Sequence, residues 1–445
     1  MNRSDAWCGA ALAMALTANA AEPTLPFAGD AQHAGAATCA GASCHGAPKP
    51  APGGRIQQNE FFVWERDDAH ANAYRALASD KGKKIAAALH LADAAAAPRC
   101  LGCHSDAVPA ARQGRRYRLA EGVSCEACHG GAERWLASHS SGERAHADNV
   151  AAGLYPLSEA AARARVCLHC HYGSEERPVD HALMAAGHPV LSFELDTYSA
   201  IQPAHFRTDE AHQKWKAEPA GASTWVAGQL VASGFVLDAL AGESFGAPGP
   251  GTGVFPELAF FDCNACHHKP TSPRWSPEIG AGTPGRAQLY SAPMDMTTFI
   301  LGALSPGARE AWRKELKALH ASRTPGEVRK HAAALKEQLK DATIRLAARP
   351  LDAAAALGLL QQVAEAGRGQ AGDLTFAEQA AMALGALANQ LVQERKRGGP
   401  QLKPAIDAVF AAVKHRDSYD PARFRAAVAR LNDEAARQFG KQVDR

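Results

Sequence analysis

The chain contains four copies of the sequence Cys-x-x-Cys-His, and no other feature restricts its fold and chemistry as strongly. The copies run from Cys100 to His104, from Cys125 to His129, from Cys167 to His171 and from Cys263 to His267. With 11 cysteines and 19 histidines in 445 residues, a random chain would contain roughly 0.01 such matches. The repetition therefore reflects a chemical requirement.

This spacing suits the covalent attachment of c-type haem. Two thiols add across the two vinyl groups of one haem, and the histidine that follows then faces the iron as its proximal ligand. Zinc sites also use paired cysteines, but zinc does not require a histidine after every second cysteine, and disulfides would leave the histidines unexplained. The motifs predict at least four haems, attached to Cys100, Cys103, Cys125, Cys128, Cys167, Cys170, Cys263 and Cys266, with His104, His129, His171 and His267 on the irons.

A fifth attachment site is expected at Cys39 and Cys44, which have four residues between them instead of two. His45 follows directly, and Gly46 repeats the Cys-His-Gly run found at Gly130. A surface disulfide between the two cysteines is the alternative. Five haems would use all ten cysteines that lie beyond residue 20, which favours haem c with iron at this site as well.

The first twenty residues predict a secretory signal peptide. Arg3 gives a positive start, Ala6 to Thr17 is apolar but too short to cross a bilayer, and Ala18-Asn19-Ala20 resembles a cleavage site. Cys8 would be discarded with this leader. We therefore expect a periplasmic protein, since bacteria attach c-type haem outside the cytoplasm, and we find no later apolar stretch of membrane-spanning length.

The distribution of cysteines predicts a mainly α protein with two parts. Residues 21–295 hold all ten remaining cysteines in loop-rich sequence, so short helices packed on haems are expected there. Residues 296–445 have no cysteine and show apolar positions at helical spacing, which predicts a bundle of five or six helices. A formal net charge of +2 gives no indication of nucleic acid binding.

The remaining histidines supply candidates for the distal side of each iron, where a second histidine favours electron transfer and an open position admits a substrate. Three of them, in the C-terminal helices, are expected to be solvated, which leaves eleven for at most five positions. Local sequence ranks them: Pro189 stiffens the chain after one candidate, and a predicted helix from Phe62 to Ala78 carries another. The preferred distal ligands are His139, His188, His70, His181 and His205.

Several of these segments resemble the multihaem cytochrome c superfamily, which includes the tetrahaem electron acceptor of hydroxylamine oxidoreductase. The resemblance rests on Gly122 to Gly130, on the helix from Trp64 to Tyr74, and on Gly187-His188-Pro189 followed by Phe193-Glu194. It covers roughly Gly35 to Pro270. It implies closely packed haems, with His45 and the four motif histidines as proximal ligands and His70, His139 and His188 as distal ones. The wide first motif and the helical extension depart from the simplest tetrahaem members.

The expected function is electron relay by a periplasmic five-haem cytochrome whose irons mostly have two histidine ligands. Its partners would be redox proteins, including a membrane-bound or outer-membrane electron-transfer complex reached through the helical tail. The alternative is an oxidoreductase that acts on a small nitrogen or sulfur compound at a haem with an open distal position. In that case Arg99, Arg112 and Arg207 could line the pocket.

Overall fold

The computed structural model describes residues 22–50, 57–174, 177–203, 205, 221–242, 257–263, 266–267, 289–348 and 351–440. These residues form helices and loops, and the only β interactions among them are two isolated bridges. The prediction of a mainly α protein is confirmed. The predicted leader, Arg207, His212 and His268 lie outside the described residues.

The N-terminal part consists of short helices joined by loops, with one long helix at its end. Its helices are α1 (Ala36–Cys39), α2 (Glu60–Asp67), α3 (Ala73–Leu77), α4 (Asp80–Ala88), α5 (Pro98–His104), α6 (Cys125–His129), α7 (Leu136–Ser141), α8 (His146–Ala151), α9 (Ala160–His171), α10 (His181–Ala185), α11 (Leu195–Ile201) and α12 (Ala222–Ala241). Short helices bury little apolar surface on their own, so this part depends on whatever fills the spaces between them.

Seven helices follow within residues 289–440, where five or six were predicted. They are α13 (Ala292–Leu304), α14 (Pro306–Ala321), α15 (Pro325–Ala348), α16 (Ala353–Gly369), α17 (Leu374–Arg395), α18 (Gly399–Val413) and α19 (Pro421–Phe439). Helix α14 packs against α13 and α15, consecutive helices from α16 to α19 pack against one another, and α16 also packs against α19, as in an antiparallel bundle.

The helix starts show which sequence signals determine structure. Ser305 and Asp420 cap α14 and α19 directly before a proline, as expected. The sequence Thr324-Pro325-Gly326-Glu327 predicts a capping box, and Thr324 and Glu327 form it at α15. The sequence Thr375-Phe376-Ala377-Glu378 predicts a second one, but this prediction is wrong, because Asp373, two residues earlier, caps α17.

The helix predicted from Phe62 to Ala78 is interrupted. Helix α2 ends at Asp67, and Asp68 takes an extended conformation in which its carboxylate accepts the backbone N–H of His70. An aspartate that bonds two residues ahead competes with the helix, which explains the break. A 3-10 turn from Ala69 to Asn72 then leads into α3. The break places His70 in this turn rather than on a continuous helix.

Helix α12 links the two parts of the chain. Its side chains Trp225, Leu237 and Leu240 are at most 1% exposed and belong to the same apolar cluster as the core of the C-terminal helices. Its opposite side packs on α9 and α11. The division at residue 296 remains a prediction, and the packing adds that α12, which precedes that boundary, shares its core with the helices that follow it.

Among the described residues, one helix has the length and composition of a membrane span, contrary to the expectation that no apolar stretch after the leader reaches that length. This is α12, and α9, α13 and α15 pack against it. Its polar side chains are bonded to neighbouring helices, Gln229 to Gln379 at 2.9 Å and Ser233 to Thr297 at 2.9 Å. Length and apolar character are common to core helices and membrane spans, so the feature is weak evidence for a membrane.

Candidate functional site

The ten cysteines and their neighbouring histidines form five sites, numbered in chain order. Site I is Cys39, Cys44 and His45; site II is Cys100, Cys103 and His104; site III is Cys125, Cys128 and His129; site IV is Cys167, Cys170 and His171; site V is Cys263, Cys266 and His267. None of these ten cysteines forms a disulfide. The alternative of a Cys39–Cys44 disulfide is therefore not what the structure contains.

Short helices carry the attachment segments. Helices α5 and α6 consist almost wholly of the motifs of sites II and III, and the motif of site IV ends the longer helix α9. One helical turn places the two thiols of Cys-x-x-Cys and the histidine after them on neighbouring faces. At sites I and III the next residue is a glycine in close contact with the backbone. A Cβ at Gly46 would lie 2.0 Å from the carbonyl oxygen of Ala40, and one at Gly130 would lie 2.5 Å from that of Gly153.

Each of the five histidines that follow a cysteine pair faces one other histidine ring. The centroid distances are 6.2 Å for His45–His139, 6.4 Å for His104–His188, 6.3 Å for His129–His205, 5.8 Å for His70–His171 and 6.2 Å for His181–His267. The partners are the five histidines selected from the sequence. The ring planes are nearly parallel at sites I and V (12° and 24°) and nearly perpendicular at sites II, III and IV (86–88°).

The spacing of these pairs fits one metal ion between two imidazoles. Two metal–nitrogen bonds of roughly 2 Å, with about 1 Å from each nitrogen to its ring centroid, give roughly 6 Å between centroids. All five observed distances lie between 5.8 and 6.4 Å. Direct stacking of two rings would allow a closer approach, such as the 4.9 Å between His171 and Phe193. The residues present therefore fit haem c at each site.

Four of these histidines also use their Nδ1 atom in a way that suits a metal ligand. Nδ1 of His45 lies 3.1 Å from Glu60, Nδ1 of His70 lies 2.8 Å from Asp68, Nδ1 of His104 lies 3.0 Å from the Ala73 carbonyl, and Nδ1 of His188 lies 2.9 Å from the Pro189 carbonyl. A metal-bound histidine usually donates its other N–H to such an acceptor, which fixes the ring and leaves Nε2 for the metal. The four rings are therefore oriented by the protein itself.

The ionisation of the pair at site IV is uneven. Burial lowers the pKa of His171 to about 4, which favours the neutral imidazole that binds metals. The bond to Asp68 raises the pKa of His70. Burial alone would raise the pKa of Asp68, but bonds from His70 and Gln202 outweigh it and lower that pKa to about 2. The carboxylate therefore stays ionised at neutral pH and holds the His70 ring.

Neighbouring sites touch through their attachment segments. The thiols of Cys39 and Cys125 are within hydrogen-bond reach, which joins site I to site III. Cys103 and Cys170 are likewise in contact, which joins site II to site IV. The backbone N–H of Val123, just before the motif of site III, donates to the carbonyl oxygen of His70 at 3.0 Å, which places site III beside the histidine paired with His171 at site IV. The contacts place the first four sites in the order I, III, IV, II, which differs from their order along the chain.

A buried cluster ties the N-terminal segment to this group. Nδ1 of His33 lies 2.9 Å from Asp106, and Glu126 accepts backbone N–H groups from Ala34, Gly35 and Ala132 at 2.7–2.8 Å. His33, Asp106 and Glu126 come close enough together to suggest a metal site. Their oxygens are already engaged by amide and hydroxyl donors, so the cluster is better explained as a structural clamp.

The lower-ranked histidines of the N-terminal part that the structure describes, which include His146, His90 and His169, do not belong to the five pairs. His146 and His90 are exposed, and the buried His169 packs against Phe27 with a centroid distance of 4.6 Å. Of the arginines considered for a substrate pocket, Arg99 binds Asp180 at 2.6 Å, and Arg112 donates to the carbonyl oxygens of Gly29 and Phe27. These two arginines are committed to the protein.

Sequence reasoning missed the groups that orient the ligands. The aspartate two residues before His70 was a usable signal, because Asp-x-His allows a local side-chain bond. Glu60 was not detectable, since it reaches His45 from a helix fifteen residues further on. Phe193 stacks on His171, and its carbonyl oxygen accepts a 3.1 Å bond from Gln379 of α17, a contact between distant parts of the chain.

Residues 38–130 match the family model of cytochrome c554 and c-prime. The match spans sites I, II and III. No curated protein and no solved structure matches the chain. Together with the repeated motifs, the match supports a multihaem c-type cytochrome with covalently bound haem c, a class that transfers electrons between redox proteins.

Proposed function

We propose that the chain carries five haems, each held between two histidines, and relays single electrons between redox partners. The observation that carries this proposal is the pairing of every motif histidine with one other histidine at 5.8–6.4 Å. A second histidine on each iron closes the position where a substrate would bind and limits rearrangement when the oxidation state changes. Such sites suit electron transfer rather than chemistry on a small molecule.

The protein's task in this function is to hold, orient and shield the sites. Haem c, when bound, supplies a one-electron couple between ferric and ferrous iron. Cysteines fix each group covalently, and Asp68, Glu60 and two backbone carbonyls fix histidine rings through Nδ1. Trp135 packs edge-on against His139 with its centroid 5.5 Å away, which adds apolar cover at site I.

The contacts between attachment segments support a continuous path. Sites I, III, IV and II follow one another through contacts of their attachment segments, including the 3.0 Å bond from Val123 to the His70 carbonyl and the 3.9 Å contact of Cys170 with the Gly102 carbonyl. Site V lies beside both site IV and site II. Tyr172, directly after the motif of site IV, lines the cavity beside Cys263, and Asp180, directly before His181, binds Arg99 at site II. Electrons entering at site I could therefore reach site V without leaving the chain.

We place this cytochrome in the periplasm, where its twenty-residue leader would direct it and where haem c is attached. We also place it among electron-transfer cytochromes related to the tetrahaem acceptor of hydroxylamine oxidoreductase, with the partners of such proteins. The sequence resemblance over Gly35 to Pro270 supports this relationship, and the wide motif of site I and the helical tail depart from the simplest tetrahaem pattern.

Addition of small ligands to the oxidised protein distinguishes relay from catalysis. We expect low-spin absorption and electron paramagnetic resonance spectra that do not change with cyanide, nitrite or hydroxylamine, because each iron has two histidine ligands. Turnover assays with nitrite and hydroxylamine serve as a parallel control. A high-spin ferric signal that changes on addition of any of the three would establish an open distal position and favour the oxidoreductase.

A further inference from the structure

The cavity at site V is lined from both parts of the chain. It has a volume of ≈ 90 Å³, and Cys263, Tyr172 and Ser192 contribute from the N-terminal part. Thr375 and Glu378 of α17 and Arg416, in the turn between α18 and α19, form the opposite wall. The C-terminal helices therefore supply side chains to a haem site, although their sequence contains no attachment motif.

Two of these side chains form an ion pair. The guanidinium of Arg416 lies 2.6 Å from the carboxylate of Glu378, with exposed fractions of 33% and 12%. Burial raises the pKa of Glu378, while Arg416 and the Ser192 hydroxyl oppose that rise. A half-buried pair is screened less by water and salt than the surface pairs of the bundle. Its charges therefore act on whatever occupies the cavity.

The pair is held rigidly. Helix α17 is fixed beside it by Gln379, which bonds the Phe193 carbonyl at 3.1 Å and Gln229 at 2.9 Å, all buried. The turn that carries Arg416 is fixed by Tyr419, whose hydroxyl donates to the Ala371 carbonyl at 2.6 Å. Both charges keep a defined position relative to Cys263, as a group that tunes a cofactor must.

We propose that Glu378 and Arg416 set the reduction potential of the haem at site V, an inference that rests on the proposed function. A cation near an iron disfavours the more positive ferric state, and an anion favours it. Arg416 therefore raises the potential of this haem and Glu378 lowers it. The C-terminal helices thus supply the charged side chains that set the reduction potential of the haem at site V.

Spectroelectrochemical titration of the full chain with all its haems tests the proposal. We expect Arg416→Gln to lower the potential of one haem and Glu378→Gln to raise it, with a smaller net shift in the double variant. Arg416→Lys keeps the charge and is expected to leave the potential close to wild type. The affected component is assigned to site V by its loss from a Cys263→Ala, Cys266→Ala variant.

The exposed pair Arg437–Glu434 of α19 provides the matched control, and Arg437→Gln is expected to shift no potential. Unchanged potentials at site V in both single variants, with five haems bound, would overturn the tuning role and leave the relay intact. Equal shifts in all haems would also overturn it, because they would indicate a general change in structure. A wild-type protein without haem at Cys263 and Cys266 would overturn the proposed function together with this inference.

Discussion

Replacing His70 by alanine is expected to convert the haem proposed at site IV from low spin to high spin. His70 is the ring that faces His171 at 5.8 Å, and Asp68 holds it there through a 2.8 Å bond. Without it, the iron at site IV would lose its distal ligand and open a position to water or added cyanide. The variant should show a high-spin ferric resonance, absent from the wild type, that disappears when cyanide is added.

The effect should extend beyond spin state, because site IV lies between sites III and II in the order of contacts. A change of ligand at that position is expected to slow the reduction of the sites beyond it, which stopped-flow absorption can follow. His146→Ala is the control, since this histidine lies on α8, is exposed and is not a member of the five pairs. A His70→Ala protein with an unchanged low-spin spectrum would show that His70 is not a ligand.

Deleting residues 296–445 is expected to prevent haem binding at site V and to destabilise the whole chain. Helix α12 would lose the partners of Trp225, Leu237 and Leu240, which are at most 1% exposed. Burial of each such side chain contributes about 1.5–3 kcal/mol to folding. Exposing all three therefore costs a free energy close to the roughly 5–15 kcal/mol by which a typical domain is stable, about the whole of its stability. We expect little soluble protein and fewer than five haems per chain, measured by yield and by haem absorption against protein mass.

A deletion of residues 441–445 alone controls for shortening the chain, because the C-terminal helix α19 ends at Phe439. The control should fold and bind haem like the full chain. If the long deletion gave a soluble protein with five haems and unchanged spectra, the C-terminal helices would be an independent module. Their role would then be docking, as an adaptor to a larger complex, rather than completion of site V.

Local chemistry made much of this structure predictable from the sequence. A serine or aspartate before proline starts a helix whatever surrounds it, and α14 and α19 begin where these signals stand. The apolar spacing from Ser223 to Leu240 predicts a helix, and α12 extends one residue beyond these bounds at each end. The two wrong helix predictions also have local causes, because in each an aspartate bonds the backbone in a way that the prediction did not include. Asp68 bonded the backbone of His70 and broke a predicted helix, and Asp373 capped α17 in place of Thr375.

The pairing of histidines could not be predicted in the same way. His139 faces His45 from 94 residues away, and His205 faces His129 from 76. Sequence context could rank histidines by their neighbours, but it contains no information on which distant segment folds back over which motif. The same limit applies to Arg416 and Glu378, because cysteine content marks where haem is attached and not which helices surround it.

The number of haems per chain tests the central claim most directly. Pyridine haemochrome absorbance of the purified protein, divided by its concentration from amino acid analysis, gives this number without any assumption about structure. Five sites with paired histidines predict a ratio of five. A ratio of four would contradict the account, because it would leave Cys39, Cys44 and the His45–His139 pair, or their counterparts at site V, without a haem.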